Sequence, residues 1–479
     1  MSPSDGGLWS PGRRALTIGL ILSVTIVASE ALAISTIMPV VADDLAAGSR
    51  TLYGWVFSAF LLSSLVGIVL AGLLIDRGSL ATAFVVGLSL FCVGLVIGGV
   101  APTMEVLVAG RALQGLGAGA VPAVAYVAIG RALPEHLRPT MFATLSTAWV
   151  LPGVLGPFLA GVVAELFHWR LVFLGLLPLA AIAAAMTVPA IRSVRDAHGS
   201  EDERAAAARM SARLPLAFAL AIGSGLMIAG LTDARLVPGL PLFVVGLLLA
   251  IPTFRRLTPP GTLRAGRGLP AAVLLRGLLT FAFFSADVYV TLALEDWRGL
   301  SPVLAGVALM GATLSWTAGA WIQARVFHRL GARPLVRLGF AVVAVGIVLF
   351  SAVLNLAVPV LVGVGAWTIA GLGMGLSYAP LSLTVLREAP LESQGAATAG
   401  LQLSDVLGTS LGAGVGGALV AFGHREGYEE WVGLGLAFAV GVVVAGIGFA
   451  LAGRLTGGHE HRAVADAPVG QATEPLAEP

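Results

Sequence analysis

The chain has 479 residues, of which 57% are hydrophobic and only 11% charged, with a net charge of +2. About a quarter of the residues in a soluble domain are charged, so an ordinary globular enzyme and a disordered chain are both excluded. The small net charge gives no surface for nucleic acid. A mean hydropathy of +0.93 and long unbroken apolar runs fit an all-α polytopic membrane protein, whereas a transmembrane barrel would alternate apolar and polar residues over short segments. All 28 basic residues are arginine, and the single cysteine, Cys92, permits no intrachain disulfide.

A hydrocarbon core about 30 Å thick takes roughly 20 apolar residues of helix. That ruler predicts fourteen spans: 15–41, 54–75, 80–100, 104–130, 141–164, 171–191, 214–231, 236–254, 269–294, 302–322, 335–354, 358–385, 396–422 and 431–455. The first is too long for a cleaved signal peptide and carries Glu30 in its middle. With the N-terminus inside, 21 arginines fall in cytoplasmic loops, five outside, and two (Arg111 and Arg276) within spans. This is the bias the positive-inside rule requires. Both termini are then cytoplasmic, in a cell membrane. Residues 191–213, with four acids and five arginines, read as a linker, and the tail 456–479 reads as disordered, its His459 and His461 solvated.

Gly115-Leu116-Gly117-Ala118-Gly119 in the fourth span reappears as Gly371-Leu372-Gly373-Met374-Gly375 in the twelfth, 256 residues on. Gly72, near the end of the second span, and Gly319, near the end of the tenth, are 247 apart. The two matches suggest a duplicated six-helix unit. Two parallel halves can accept an insertion only of an even number of spans, which the seventh and eighth satisfy. The expected division is 1–191, an N-terminal bundle; 192–268, linker plus inserted hairpin; 269–455, a C-terminal bundle; and 456–479, the tail.

Several motifs together resemble the major facilitator superfamily, specifically its fourteen-helix drug:proton antiporter type. Gly72-Leu73-Leu74-Ile75-Asp76-Arg77-Gly78 resembles the loop motif after the second helix, but Ser79-Leu80-Ala81 stands where the family continues with glycine and a basic pair. Gly110-Arg111-Ala112-Leu113-Gln114-Gly115 matches the fourth-helix motif, and Gly153-Val154-Leu155-Gly156-Pro157-Phe158-Leu159-Ala160-Gly161 is close to the antiporter motif of the fifth. Trp169-Arg170-Leu171-Val172-Phe173 resembles the opening of the sixth. Glu30, nine residues before Pro39, replaces the family's usual aspartate. The resemblance implies two six-helix bundles with an inserted hairpin, alternating access, and a cavity lined by the first, fourth, ninth and twelfth spans.

An isolated charge at the centre of a span costs on the order of 2.5–3.5 kcal/mol on insertion scales, so such residues are functional candidates by default. Glu30 and Asp287 are expected to couple transport to protons: a dry site favours the neutral acid, and opening to water favours release. Arg111, Gln114, Trp316, Trp367, Tyr289 and Tyr378 are expected to line a substrate cavity, with Phe281, Phe283 and Phe284 suited to a lipophilic ligand. The competing reading of Glu30 and Arg111 is an ion pair that only fixes packing. Asp76, Arg77, Gly153, Gly156, Pro157 and Gly161 are expected to gate, the glycines by close helix approach and Pro157 by bending. Arg276 either joins the transport path or snorkels to the cytoplasmic headgroups, and Asp405 marks one face of the thirteenth span. Trp55, Trp169, Trp297 and Trp431 read as interfacial anchors.

The Gly-x-Ser-x-Gly match at Gly408–Gly412 lies on a membrane helix without a nearby histidine and is read as packing, not as a nucleophile elbow. No enzyme activity, cofactor or metal is expected. A proton-coupled exporter of small amphipathic compounds, acting as a monomer in the bilayer, is the leading expectation. A metabolite or lipid exporter or nutrient symporter on the same scaffold is the alternative, and a membrane enzyme or receptor comes last.

Overall fold

The computed structural model describes residues 7–45, 52–77, 80–192, 203–232 and 236–456, and among these the chain is helical throughout, with no strand. In lipid every backbone polar group must be satisfied within its own segment, which leaves helices as the way to bury these apolar runs. The first four spans are single helices: α1 (Arg14–Leu45), α2 (Tyr53–Asp76), α3 (Leu80–Gly99) and α4 (Met104–Ala132). The fifth is divided into α5 (Arg138–Thr147) and α6 (Val150–Leu166), and the sixth into α7 (Arg170–Leu174) and α8 (Leu176–Arg192). A 44° bend separates Glu135–Gly156 from Phe158–Leu166, so the kink falls at Pro157, where the missing N–H opens the helical ladder.

The hairpin consists of α9 (Glu203–Thr232) and α10 (Leu236–Leu257). The six helices of the second half follow: α11 (Leu269–Leu292), α12 (Pro302–Leu330), α13 (Ala332–Ser351), α14 (Val360–Glu388), α15 (Gln394–Arg425) and α16 (Glu430–Leu451). Thirteen of these segments are long and apolar enough to cross a membrane, and the bent fifth span makes fourteen. One boundary differs from expectation. Residues 203–213, read as linker, are already the first turns of α9, since alanine and arginine propagate a helix well once it has started. The rest of that linker, 193–202, and the tail from 457, with His459 and His461, lie outside the described residues.

Two apolar cores form, one built from α1–α8 that also takes in Ala379, Leu383 and Leu386 of α14, and one within α11–α16. A third joins the hairpin to both halves. Leu65, Val66, Ile68, Val69 and Leu73 of α2 and Ala399 and Leu403 of α15 pack with Ala217, Leu220, Ala221 and Met227 of α9 and Ala250, Phe254 and Leu257 of α10. The hairpin therefore lies over the seam where α2 meets α15.

The close approaches of helices bear out the duplication and correct one of its matches. A Cβ added at Gly94 would strike Gln114, and one at Gly346 would strike Ala370, 2.5 and 2.6 Å from the backbone nitrogens. Gly67 abuts the carbonyl of Leu116, and Gly319 that of Leu372. Gly319 is thus the counterpart of Gly67, not of Gly72. Gly72 instead faces the other half, against Gly395 and Ala399.

Candidate functional site

For orientation, the face where α1 begins and α16 ends is the terminal face, and the opposite one the distal face. Arg111 reaches from α4 into the middle of the first half. Its guanidinium pairs with Glu30 of α1, donates to Gln114 Oε1 (3.0 Å) and, through Nε, to the Val56 carbonyl of α2 (3.1 Å). It also lies 4.2 Å from the centroid of the Phe60 ring. Glu30, Arg111 and Gln114 are 3%, 1% and 0% exposed. Two formal charges are held here only because each has a partner.

The second half carries a related constellation with different chemistry. The glycine register of α4 and α14 makes Trp367 the counterpart of Arg111, 256 residues on, and Asp287 lies 257 residues after Glu30. Asp287 Oδ1 accepts a hydrogen bond from Trp367 Nε1 (3.0 Å). The acid is retained on the first helix of each half, but its cation is replaced by a neutral indole. No ion pair to Asp287 occurs among the described residues. Trp367 stacks on Phe283 (centroids 5.1 Å apart, 25° between planes), Phe283 meets Trp316 edge-on at 5.8 Å, and Trp316 meets Tyr378 at 5.4 Å. An aromatic wall therefore leads from Asp287 to Tyr378.

At the far end of that wall lies a second buried ionic cluster. The Tyr378 hydroxyl donates to Asp405 Oδ2 (2.6 Å), and Arg276 stands 3.8 Å from Asp405 Oδ1. Arg276 donates to the Tyr378 carbonyl (2.6 Å) and to Ser382, and its Cζ lies 3.5 Å from the centroid of the Tyr378 ring. Tyr126 of α4 joins the cluster from the first half. Arg276 is fully buried. It does not snorkel, because α14 and α15 enclose the terminal half of α11 and offer nearer partners than the headgroups.

The two halves close on each other at the terminal face. Asp76, the last residue of α2, accepts hydrogen bonds from the backbone N–H groups of Gly395 (2.7 Å) and Ala396 (2.9 Å). These are free donors in the first turn of α15, at the positive end of its dipole. Beside them, Arg131 of α4 donates to the Leu391 carbonyl (3.1 Å) and to Gln394 Oε1 (3.4 Å). Ala143 of α5 packs with Ala320 and Ala324 of α12, a seam of small side chains that brings the two backbones together. Arg77, the next residue, is exposed.

Other expected residues fall elsewhere. Tyr289 turns away from the aromatic wall and donates its hydroxyl to the Ala413 carbonyl of α15 (2.6 Å). The α6 glycines are not sites of close approach. The nearest α12 atom to a Cβ at Gly153 is Thr313 Cγ2 at 3.4 Å, Gly156 meets only its own Pro152 at 4.0 Å, and Gly161 meets Thr36 Cγ2 at 3.9 Å. What these glycines leave is room, while the Pro157 side chain lies outside the described residues. Trp169 is not an interfacial anchor but is 2% exposed, its indole N–H donated to Asp44 Oδ2 (2.9 Å) alongside Arg170 (2.9 Å). Trp55 and Trp431 are exposed, as anchors require. Gly408 and Gly412 pack against Gly277 and Phe281, which accounts for the Gly-x-Ser-x-Gly match.

Residues 18–401 match the family model of the Major Facilitator Superfamily. The multidrug efflux pump SdrM of Staphylococcus aureus is 24% identical over 410 residues, 84% of this chain and 89% of the pump. A probable multidrug-efflux transporter of Mycobacterium tuberculosis, Rv1634, is 28% identical over 445 residues, covering 88% and 90% of the two chains. Among solved structures, the human organic anion transporter MFSD10 superposes with a TM-score of 0.66 at 15% identity, over 92% of this chain and 99% of that one. The proton:xylose symporter XylE gives 0.60 at 14% identity, over 90% and 94%. With its fold, its duplicated halves and its motifs all in agreement, the chain belongs to the Major Facilitator Superfamily.

Proposed function

We propose that the protein is a proton-coupled multidrug exporter of the cell membrane, an antiporter that moves small amphipathic compounds by alternating access, with both termini cytoplasmic. The observation that carries this reading is Asp287: a carboxyl within the bilayer, held by one neutral donor and set against an aromatic wall. A lipophilic cation would find there both a counter-charge and π faces, an arrangement worth about 2 kcal/mol or more when desolvated. A proton competes for the same oxygen atoms. The efflux pumps named above and the arginine bias toward the terminal face support the direction and the topology.

The structure corresponds on this reading to an outward-facing state, closed by Asp76 at the cytoplasmic side. A proton arriving from outside displaces the cation from Asp287, and the neutralised carrier parts at the terminal face. The proton is then lost to the cytoplasm, and the emptied carboxylate takes the next substrate. Glu30 is the second coupling group: a proton on it would release Arg111 from its ion pair. The bundles 1–191 and 269–455 are the units that rock, with 192–268 inserted between them.

In proteoliposomes, Glu30→Gln and Asp287→Asn should each lose substrate transport driven by a pH gradient, and dye efflux from cells expressing the chain should collapse on adding a protonophore. Full gradient-driven activity in both variants would remove these carboxyls from the mechanism.

A further inference from the structure

The closure at the terminal face has a contributor outside both bundles. Asp76 is half-buried and takes two backbone hydrogen bonds from α15. The chain after it offers Arg77, which is exposed, and then Gly78-Ser79-Leu80-Ala81 without another base. The positive groups nearby come from other elements, Arg131 of α4 and Arg213 of α9, the latter without an ion pair to Asp76 among the described residues. Their placement follows from the packing. Leu214, Leu216 and Ala217, directly after Arg213, belong to the apolar core that contains Leu73, three residues before Asp76, and Ala399 and Leu403 of α15. Arg213 is itself half-buried. The neighbouring end of α10 is seated on the same helix, with Pro259 Cδ 3.1 Å from the Cβ position of Gly400.

We propose that the inserted hairpin is a working part of the latch. Arg213 stabilises the Asp76 carboxylate on the first turn of α15, and the apolar face of α9 holds α2 and α15 together along their seam. The charged groups facing Asp76 are then Arg131 from the first half, Arg213 from the hairpin and the dipole of α15 from the second half, with Arg77 next to it in sequence. Separation of α2 from α15 at this face has to carry Asp76 away from Arg213 and part the apolar seam with α9 as well. A fourteen-span chain thereby gains a bridge across one seam that twelve spans alone would not provide. The inference rests on the alternating-access reading, but not on which compounds are carried or on proton coupling.

The test is a distance measurement in lipid nanodiscs without substrate, in a Cys92→Ser background with spin labels on Arg192→Cys and Arg329→Cys, exposed positions on the terminal face of the two halves. Arg213→Gln should lower the ratio of closed to open populations by up to about five-fold, the upper end for a charge interaction at a partly exposed site. Arg213→Lys should restore it, and Asp76→Asn should shift it further. An unchanged ratio in Arg213→Gln beside a shift in Asp76→Asn would overturn the proposal, and so would equal shifts in the Gln and Lys variants. No shift in Asp76→Asn would instead refute the latch itself.

Discussion

Consider the removal of Arg111. Substitution by methionine keeps the aliphatic length but takes away the partner of Glu30, the donor to Gln114 Oε1 and the cation over Phe60. Val56 O is a helical carbonyl and keeps its own ladder. The dominant loss is therefore the ion pair. Breaking a buried pair on one side costs about 3–5 kcal/mol, and an uncompensated acid at a span centre costs about 2.5–3.5 kcal/mol on insertion scales. A loss of about 3 kcal/mol is expected. Glu30→Gln still offers Arg111 an amide oxygen and should cost less, about 1–3 kcal/mol. The double variant Glu30→Gln/Arg111→Met removes both charges and their desolvation, so it should recover most of the single Arg111 loss, with a coupling energy of about 2–3 kcal/mol. Reversible unfolding in mixed micelles, run as a double-mutant cycle, reads this directly. Additive losses, with a coupling energy below about 0.5 kcal/mol, would refute the pairing and the account of the first half built on it.

Trp367→Arg would copy the first-half arrangement into the second by giving Asp287 a fixed cation; gradient-driven transport should fall to background while the protein remains monodisperse, and normal transport would show that the missing cation is irrelevant. Gly67→Ala and Gly319→Ala should each destabilise by about 1–3 kcal/mol through overpacking, because the new methyl meets the Leu116 or Leu372 backbone. Gly156→Ala, with only Pro152 nearby, should be neutral in the same thermal-stability assay. At the distal face, the Trp169 N–H and then Arg170 hold the Asp44 carboxyl below its usual range. This partly exposed contact, worth about 0.2–1 kcal/mol, is fully present above the ordinary aspartate pKa and is lost as pH falls through the lowered one. Melting temperatures taken on descending pH should show a step in the wild type that Asp44→Asn lacks.

The spans were readable from the sequence because the bilayer imposes a length and forbids isolated charges, two constraints that act residue by residue. Glu30, Arg111, Asp287 and Asp405 stood out for the same reason. Their partners did not, since pairing is a property of three dimensions. Arg276 lies close enough to the start of α11 to reach a headgroup, and only the enclosure by α14 and α15 decides otherwise. Tyr126 gives no signal of its own in the sequence. The α6 glycines read as packing sites because small residues so often are, and their open surroundings depend on where α12 lies. The false match of Gly72 with Gly319 came from aligning helix ends, which vary in length, instead of the residues that face the fourth and twelfth spans. The offset of 256 taken from those glycines was already sufficient to place Trp367 opposite Arg111.

On the proposed function, that exchange has a consequence beyond the repeat itself. Duplication supplies two acids at equivalent points of the two halves, and identical partners would make both respond to a proton alike. Where arginine is kept, the carboxylate has its counter-charge within the protein and nothing from outside is needed for balance. Where tryptophan stands, one neutral hydrogen bond fixes the orientation of Asp287 and leaves its charge to be balanced by what enters. In a low-dielectric interior that balance is obligatory, since a bare carboxylate is too costly to carry across. A proton or a cationic substrate can each supply it. On the proposed reading the two need not meet each other to be coupled; it is enough that the second half cannot change state while Asp287, without an ion pair among the described residues, stands empty.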